Sequence, residues 1–493
     1  MKILLLIPSR AYREMPGYTK FPDELLLIGA VLEQAGHQVR LHDQNLVYRQ
    51  PQEFLDFAPD LIGFPVGSGP NIADAGICST EFKKLLPRVK IAWGFRHPSA
   101  FPEQVLTESD ADFVIIGPGE ITFRELADAL QTGRTDLSGI EGLGYKLDGR
   151  IVINPERPIA ELLDDLPDPA WHLIDIKKYT DITLNVSRGC PYRCTFCSDA
   201  VFYQTKQCDL SASRIVSQME RLKNEYGVRH LFISGERFAL NHERLQEFCR
   251  LVIDKKLKIK WNCPVSGELA EEDITLMARS GCVSVLFEIE SGSQRMLDFL
   301  QKGNIVEMEK TYWSLLSHHI IPTIFMYYDI PTETVDDFKA SIELLDRFDK
   351  PPFLYMKFVP YPASELYDYC IDQKLVKEPQ SLADWVTFPL LCATDVTLSE
   401  VPRKMIADAM AGYRADYAMR RIRFMIRHNP AFFLTALKNP PEFYKALRDL
   451  VHYYLDIIFD VANGPKSLLA RILRRKSTVK GSPTDSPTPT VSR

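Results

Sequence analysis

The sequence predicts an α/β chain in three parts: an amino-terminal unit of alternating strands and helices, a second and larger strand–helix series, and a helical carboxyl-terminal region. Three observations carry this. Short apolar runs alternate with helical periods over residues 1–135 and again over 179–375. The stretch Leu162-Leu163-Asp164-Asp165-Leu166-Pro167-Asp168-Pro169-Ala170-Trp171 separates the two series, acidic and proline-broken, unable to continue a helix or a central strand. A length of 493 residues leaves room for about two to four domains.

Composition narrows the function classes. Hydrophobic residues make up 45% and charged residues 25%, the balance of a soluble globular protein. A net charge of -6 gives no basic field, so nucleic acid is not an expected partner. Apart from one triad the ten cysteines are scattered, and Met1-Lys2-Ile3-Leu4-Leu5-Leu6-Ile7-Pro8 is too short for a signal peptide and reads as a first strand. The expected compartment is therefore reducing and cytoplasmic, which suits thiolates and argues against a disulfide framework. No apolar run reaches the roughly 18 residues of a spanning helix.

In the first series, strands are expected at 3–7, 39–43, 61–64, 91–93 and 113–116. That is a Rossmann-like, doubly wound pattern, in which a ligand sits beyond the carboxyl ends of the strands. Those ends carry Pro65-Val66-Gly67-Ser68-Gly69, Gly94-Phe95-Arg96-His97-Pro98 and Gly117-Pro118-Gly119-Glu120. Glycine there admits a close backbone approach, but any Rossmann-like domain has such loops, so they name no ligand alone. Residues 143–153 read as a hairpin about Asp148-Gly149 and are grouped with the linker as 136–178. In the second series, runs at 182–186, 230–234, 258–262, 283–287, 323–327 and 354–358 make six units. They predict a partial (β/α)6 barrel of the TIM type, with chemistry at the carboxyl ends of its strands.

Behind the first of these strands stands Ser187-Arg188-Gly189-Cys190-Pro191-Tyr192-Arg193-Cys194-Thr195-Phe196-Cys197, with cysteines spaced C-x3-C-x2-C. Three thiolates can hold three irons of a cubane. A 4Fe-4S cluster normally takes four cysteines, so a triad leaves one iron open to a substrate or cofactor. The alternatives are a zinc knuckle or a disulfide. Zinc would want a fourth Cys or His nearby, and none follows before Cys208.

This spacing, with the aromatic Phe196 before the last cysteine, resembles the signature of the radical S-adenosylmethionine (SAM) enzymes. The resemblance implies that the open iron chelates the amino and carboxyl groups of SAM and that Phe196 lies against the adenine. Ser234-Gly235-Glu236 resembles the family's G-G-E segment, which implies that Glu236 receives the SAM amino group, although many relatives carry two aspartates there. Glu288-Ile289-Glu290-Ser291-Gly292-Ser293 resembles G-I-E-S-G-S, which implies that Glu290 and Ser291 meet the ribose or carboxylate of SAM. A Rossmann-like unit ending in G-x-G-E-x-T (Gly117 to Thr122) ahead of the cysteine triad is similar to the cobalamin-binding radical SAM enzymes, of class B methyltransferase type, over residues 1–375. It implies cobalamin held at Gly67, Ser68, Gly94, His97, Gly117, Gly119 and Glu120. There is no D-x-H-x-x-G segment, so no histidine is expected below the cobalt, and His42 and His97 read as loop residues that do not ligate it.

The implied activity is hydrogen abstraction from an unactivated carbon of a small molecule by a 5'-deoxyadenosyl radical, followed by methyl transfer from methylcobalamin. A one-electron reductant of the flavodoxin or ferredoxin type is the implied partner. Cyclisation or rearrangement without methyl transfer stays open. A non-catalytic electron-transfer or metal-sensing protein would need a fully ligated cluster. A tRNA methylthiotransferase would want further amino-terminal cysteines, where only Cys78 precedes the triad, and a basic RNA module. Asp329-Ile330-Pro331-Thr332-Glu333-Thr334 stands where relatives show G-L-P-G-E-T, and Tyr361-Pro362-Ala363-Ser364 replaces P-G-T; such swaps reshape the pocket and leave the substrate unnamed.

Residues 376–476 read as helices. Phe443, Leu447, Leu450, Val451, Tyr454, Leu455, Ile458 and Phe459 follow a helical period and are expected to pack on the barrel. The basic end with Arg420, Arg421, Arg423, Arg427, Arg471, Arg474, Arg475 and Lys476 reads as a solvated face in preference to a membrane-binding one. The Ser/Pro/Thr-rich residues 477–493 are expected to be disordered.

Overall fold

A computed structural model describes residues 1–9, 20–159, 163–235, 238–349, 351–414, 423, 424, 427 and 428. Among them, the first sheet contains β1 (Lys2–Ile7), β2 (Gln38–Asp43), β3 (Leu61–Pro65), β4 (Lys90–Gly94), β5 (Phe113–Ile115), β6 (Leu143–Leu147) and β7 (Arg150–Ile153). Its spatial order is β2-β1-β3-β4-β5-β6-β7. The first five strands are parallel, and the chain reverses its direction of winding between β1 and β3, where an open α/β sheet forms its crevice. The run Ile3-Leu4-Leu5-Leu6 is apolar throughout because both faces are covered. Ile3 and Leu5 pack with Leu26 and Phe123, whereas Leu4 and Leu6 pack with Phe82 and Val105 on the opposite side.

The hairpin corrects an expectation. Expected with the linker, it instead pairs β6 antiparallel with β5, Phe113 opposite Tyr145 and Ile115 opposite Leu143, so it extends the first sheet. An unpaired edge at β5 would leave backbone donors and acceptors open; the hairpin closes it.

The remaining strands are β8 (Thr183–Asn185), β9 (Ser187–Arg188), β10 (Cys208–Asp209), β11 (His230–Ser234), β12 (Lys260–Val265), β13 (Cys282–Glu290), β14 (Ile321–Tyr328) and β15 (Phe353–Lys357). The second sheet runs β15-β14-β13-β12-β11-β8 with every pair parallel, the partial barrel that six strand–helix units predict. β12 starts two residues later than expected, because Lys256 and Lys258 adopt φ 49° and 50° in a tight turn ahead of it. Helices Ala212–Tyr226, His242–Asp254, Glu271–Ser280, Ile305–Ser317 and Val335–Arg347 follow successive strands. Several start at side-chain caps, such as Ser211 accepting from Arg214 N and Thr334 in a capping box with Asp337.

Of the carboxyl-terminal region, helices Leu382–Thr394 and Arg403–Arg414 are described. The helical period at 443–459, most of the basic run and the tail lie outside the described residues. Helix Leu382–Thr394 crosses back to the first unit, where Leu382 N donates to Glu108 Oε2 at 2.8 Å and the Trp385 ring sits 4.8 Å from that of Phe101. Among the described residues no helix is long and apolar enough to cross a membrane.

Candidate active site between the two sheets

The cysteine loop begins where β9 leaves the barrel. β9 pairs antiparallel with β10, Arg188 opposite Cys208, and this short ribbon closes the neck of residues 189–207. Gly189 makes the neck possible: its φ is +73°, and a Cβ there would lie 2.1 Å from the Lys206 carbonyl oxygen. Beyond it the loop is pinned to a segment of the barrel mouth, Thr195 N donating to Leu300 O at 3.3 Å and Cys194 Sγ to Gln301 O at 3.7 Å. Cys190, Cys194 and Cys197 are half-buried, whereas the other seven cysteines are buried. Burial, then the Asp199 charge, pushes the Cys197 thiol up to about 12, and burial raises Cys194 as well. Without a cation Cys194 and Cys197 are therefore held as thiols, and a metal must displace their protons on binding.

The end of β13 supplies charge. Glu290 is buried in the left-handed region, φ +70°. Its Oε1 lies 3.1 Å from Lys302 Nζ, and its Oε2 has no partner. Lys302 also donates to Ser266 Oγ at 2.7 Å and stands 5.6 Å from the centre of the Phe196 ring. Burial opposes the ammonium, but the Glu290 and Glu288 carboxylates outweigh it and raise Lys302 above the ordinary lysine value. Sequence reading missed Lys302, which belongs to no motif and reaches the site only through the loop after Gln294–Phe299.

Other expected contacts are placed differently. A Cβ on Gly235 would lie 2.6 Å from Ser187 Cβ, so this glycine clears the neighbouring strand. Ser234 pairs in register with Asn185, and Glu236 lies outside the described residues. Ser291 is fully buried and shares a hydrogen bond of 3.3 Å with Ser341 on helix Val335–Arg347, which positions the β13 turn. The three substituted glycine positions keep the glycine-like backbone: Asp329, Thr332 and Ala363 have φ 61°, 67° and 62°. Asp329 puts its carboxylate to a new use, accepting from Leu398 N, Ser399 N at 2.9 Å and Ser399 Oγ at 2.7 Å and pairing with Lys357 at 3.2 Å. It ties the segment after helix Leu382–Thr394 to the barrel mouth.

The strand ends of the first sheet face this mouth. A cleft of about 640 Å³ is lined by Pro65, Gly94, Phe95, Gly117, Gly119 and Glu120 and walled on the barrel side by Arg188, Phe202 and Tyr203. A second hollow of about 730 Å³ adjoins it at Gly117 and Phe202 and contains Ser68, Arg96, Ser198 and Tyr361. Ion pairs join the two units here. Arg188 Nη1 meets Glu120 Oε1 at 2.7 Å with both side chains buried, and Arg96 pairs with Asp199, two residues beyond Cys197.

His97 is a correction. Expected among the loop contacts, it lies on the short helix Arg96–Ala100, fully buried, its Nδ1 sharing a hydrogen bond of 3.0 Å with Ser68 Oγ and its ring 5.4 Å from that of Trp385. The helical turn at Arg96 swings it behind the loop, outside both cavities. Gly67 lines neither; a Cβ there would meet Asn71 and Phe95. His42 is on β2, bonded through Nε2 to Val47 O at 2.8 Å.

Residues 184–345 match the Radical SAM superfamily and residues 16–127 match the B12 binding domain. The chain belongs to the cobalamin-binding radical SAM enzymes. It is 29% identical over 393 residues to an uncharacterized methyltransferase of Pyrococcus horikoshii, covering 76% of this chain and 84% of that one. It is 25% identical over 409 residues to the anaerobic magnesium-protoporphyrin IX monomethyl ester cyclase of Synechocystis, covering 78% and 80%. Its fold is similar to that of the radical S-adenosylmethionine methyltransferase TsrM of Kitasatospora setae, solved with cobalamin and a [4Fe-4S] cluster, at a TM-score of 0.71 and 17% identity over 85% of this chain and 92% of that chain.

A cobalamin-binding radical SAM enzyme uses a 4Fe-4S cluster, SAM and cobalamin, and the residues present fit each. The cysteine triad is the half-exposed set among buried thiols. The orphaned Glu290 Oε2 wants a donor such as a ribose hydroxyl. At Gly117 a Cβ would meet nothing, leaving the cleft open at the strand ends, while at Gly94 and Gly119 it would press on Ile115 at 3.3 and 3.4 Å.

Proposed function

We propose that this enzyme is a cobalamin-dependent radical SAM methyltransferase acting on an unactivated carbon of a small molecule. One observation carries the reading: the strand ends of the first sheet are bonded directly to the cysteine loop through Arg96–Asp199 and Glu120–Arg188. On this reading, groups held at these two places would meet across that seam. When bound, the cluster supplies an electron, SAM a hydrogen-abstracting radical, and cobalamin a transferable methyl group. The chain's own residues position and enclose. Cys190, Cys194 and Cys197 are the proposed cluster ligands, with Phe196, Ser234, Gly235, Glu236, Glu290 and Ser291 around SAM, and Ser68, Gly94, Gly117, Gly119 and Glu120 around the corrinoid. Phe95 and Phe202, with ring centres 6.2 Å apart, give the seam between the two units an apolar wall. The reading includes a one-electron donor of the flavodoxin or ferredoxin type, for which the exposed Pro191, Tyr192 and Arg193 of the cysteine loop offer an approach. Similarity to a cyclase keeps cyclisation as the second reading.

Anaerobically reconstituted protein with methyl-deuterated SAM, cobalamin and candidate extracts, followed by mass spectrometry, tests this. The expected result is 5'-deoxyadenosine together with a product carrying deuterated methyl. Replacement of any of Cys190, Cys194 or Cys197 by Ala should remove iron, sulfide and 5'-deoxyadenosine. A cysteine variant that still cleaves SAM overturns the cluster assignment, and turnover without cobalamin overturns methyl transfer.

A further inference from the structure

Glu288 is a carboxylate that no motif assigns, at a position where the family segment carries glycine. Its neighbours on β13, Phe287 and Ile289, are both 0% exposed. Glu288 itself is paired in parallel register with Phe325, and residues so paired project to the same face of a sheet. That face is the barrel lumen beside the cysteine loop: Phe325 meets Tyr327 with ring centres 4.9 Å apart, and Tyr327 meets Phe196 at 5.9 Å. The other charges at this place are committed. Lys302 pairs with Glu290, and Asp199 with Arg96. Among the described residues Glu288 has neither a hydrogen bond nor an ion pair. Among the described residues at this place the carboxylates Glu288, Glu290 and Asp199 face the two cations Lys302 and Arg96, one carboxylate more than cations, and a charge without its own counter-ion in a partly dry site favours a cationic ligand.

We propose that Glu288 makes the site select SAM by its sulfonium charge, holding the cation in preference to S-adenosylhomocysteine, which has the same nucleoside and amino-acid groups but a neutral thioether. This rests on the radical SAM reading above. Burial, then the Glu290 carboxylate, pushes the Glu288 acid up to about 7, with Lys302 opposing and Asp199 adding to the rise. A cation bound beside it draws the acid back down and keeps it ionised.

The test measures binding, not turnover. Reconstituted, cobalamin-loaded protein is titrated anaerobically with SAM and with S-adenosylhomocysteine at pH 7.5, as wild type, Glu288→Gln and Glu288→Gly; iron content and the melting curve check cluster and fold. Glu288→Gln should weaken SAM about tenfold, the scale of one partly screened charge pair, and change S-adenosylhomocysteine by less than about twofold. Glu288→Gly, which removes the group with less side chain to repack, should narrow the preference in the same way. Equal weakening of both ligands would mean a contact with a group they share and overturns charge selection. Unchanged SAM affinity in both variants overturns the proposal while leaving the radical SAM reading intact. Wild-type protein that binds no SAM overturns that reading and the proposal with it.

Discussion

Gly189→Ala isolates the neck of the cysteine loop. The new Cβ would lie 2.1 Å from Lys206 O and 2.8 Å from Tyr203 Cβ, and the residue would stay at φ +73°. The left-handed backbone costs a residue with a Cβ about 1–2 kcal/mol, and overpacking against fixed backbone adds about 1–3 kcal/mol, so a loss of about 2–5 kcal/mol is expected. Gly227→Ala is the matched control. Gly227 has φ +72° at the end of helix Ala212–Tyr226, with nothing within 4 Å of its Cβ position, so only the backbone cost applies. Urea unfolding of both reconstituted variants should show Gly189→Ala less stable by the clash alone, about 1–3 kcal/mol. Because the β9–β10 ribbon anchors the cysteines, iron per chain should fall in Gly189→Ala and stay at the wild-type level in Gly227→Ala. Equal destabilisation of the two, or full iron in Gly189→Ala, would refute the close approach of the loop to Lys206.

Three other perturbations probe different bonds. Glu120→Gln leaves Arg188 buried without its partner and should cost about 3–5 kcal/mol, whereas the double change Glu120→Gln with Arg188→Met should recover much of it; single and double variants of equal stability in a urea-unfolding cycle would count against the pair. Glu333 is fully buried, and burial pushes its acid up to about 8, so the native state holds a proton that the unfolded state loses above about 4.5. Stability should therefore fall as pH rises from 4.5 through 8, by at most about 1.4 kcal/mol per pH unit, and Glu333→Gln should flatten that slope in unfolding midpoints taken at pH 6, 7 and 8.5. Asp329→Gly restores the family glycine at φ 61° but removes the acceptor for Leu398 N and Ser399 N; faster amide hydrogen exchange at 398–401 with an unchanged barrel is expected, and unaltered exchange there would count against the tether.

The sequence by itself determined the strands, the barrel and the cysteine loop, since each depends on neighbours a few positions apart: alternating apolar runs, a C-x3-C-x2-C spacing, glycines at strand ends. It also shows that three glycines of the family are replaced. It did not show that Asp329, Thr332 and Ala363 keep the left-handed backbone, because a substitution changes the cost of a conformation and the surrounding packing decides whether that cost is met. Lys302 beside Glu290, Arg188 on Glu120 and Arg96 on Asp199 were decided by tertiary structure alone. So were the turn of His97 away from the cleft and the docking of the hairpin on β5. These pairings join residues far apart in the chain, and burial sets their strength. A carboxylate in a sequence is the same letter whether it faces water, a lysine or the lumen of the barrel, and only the packed sheets distinguish the three.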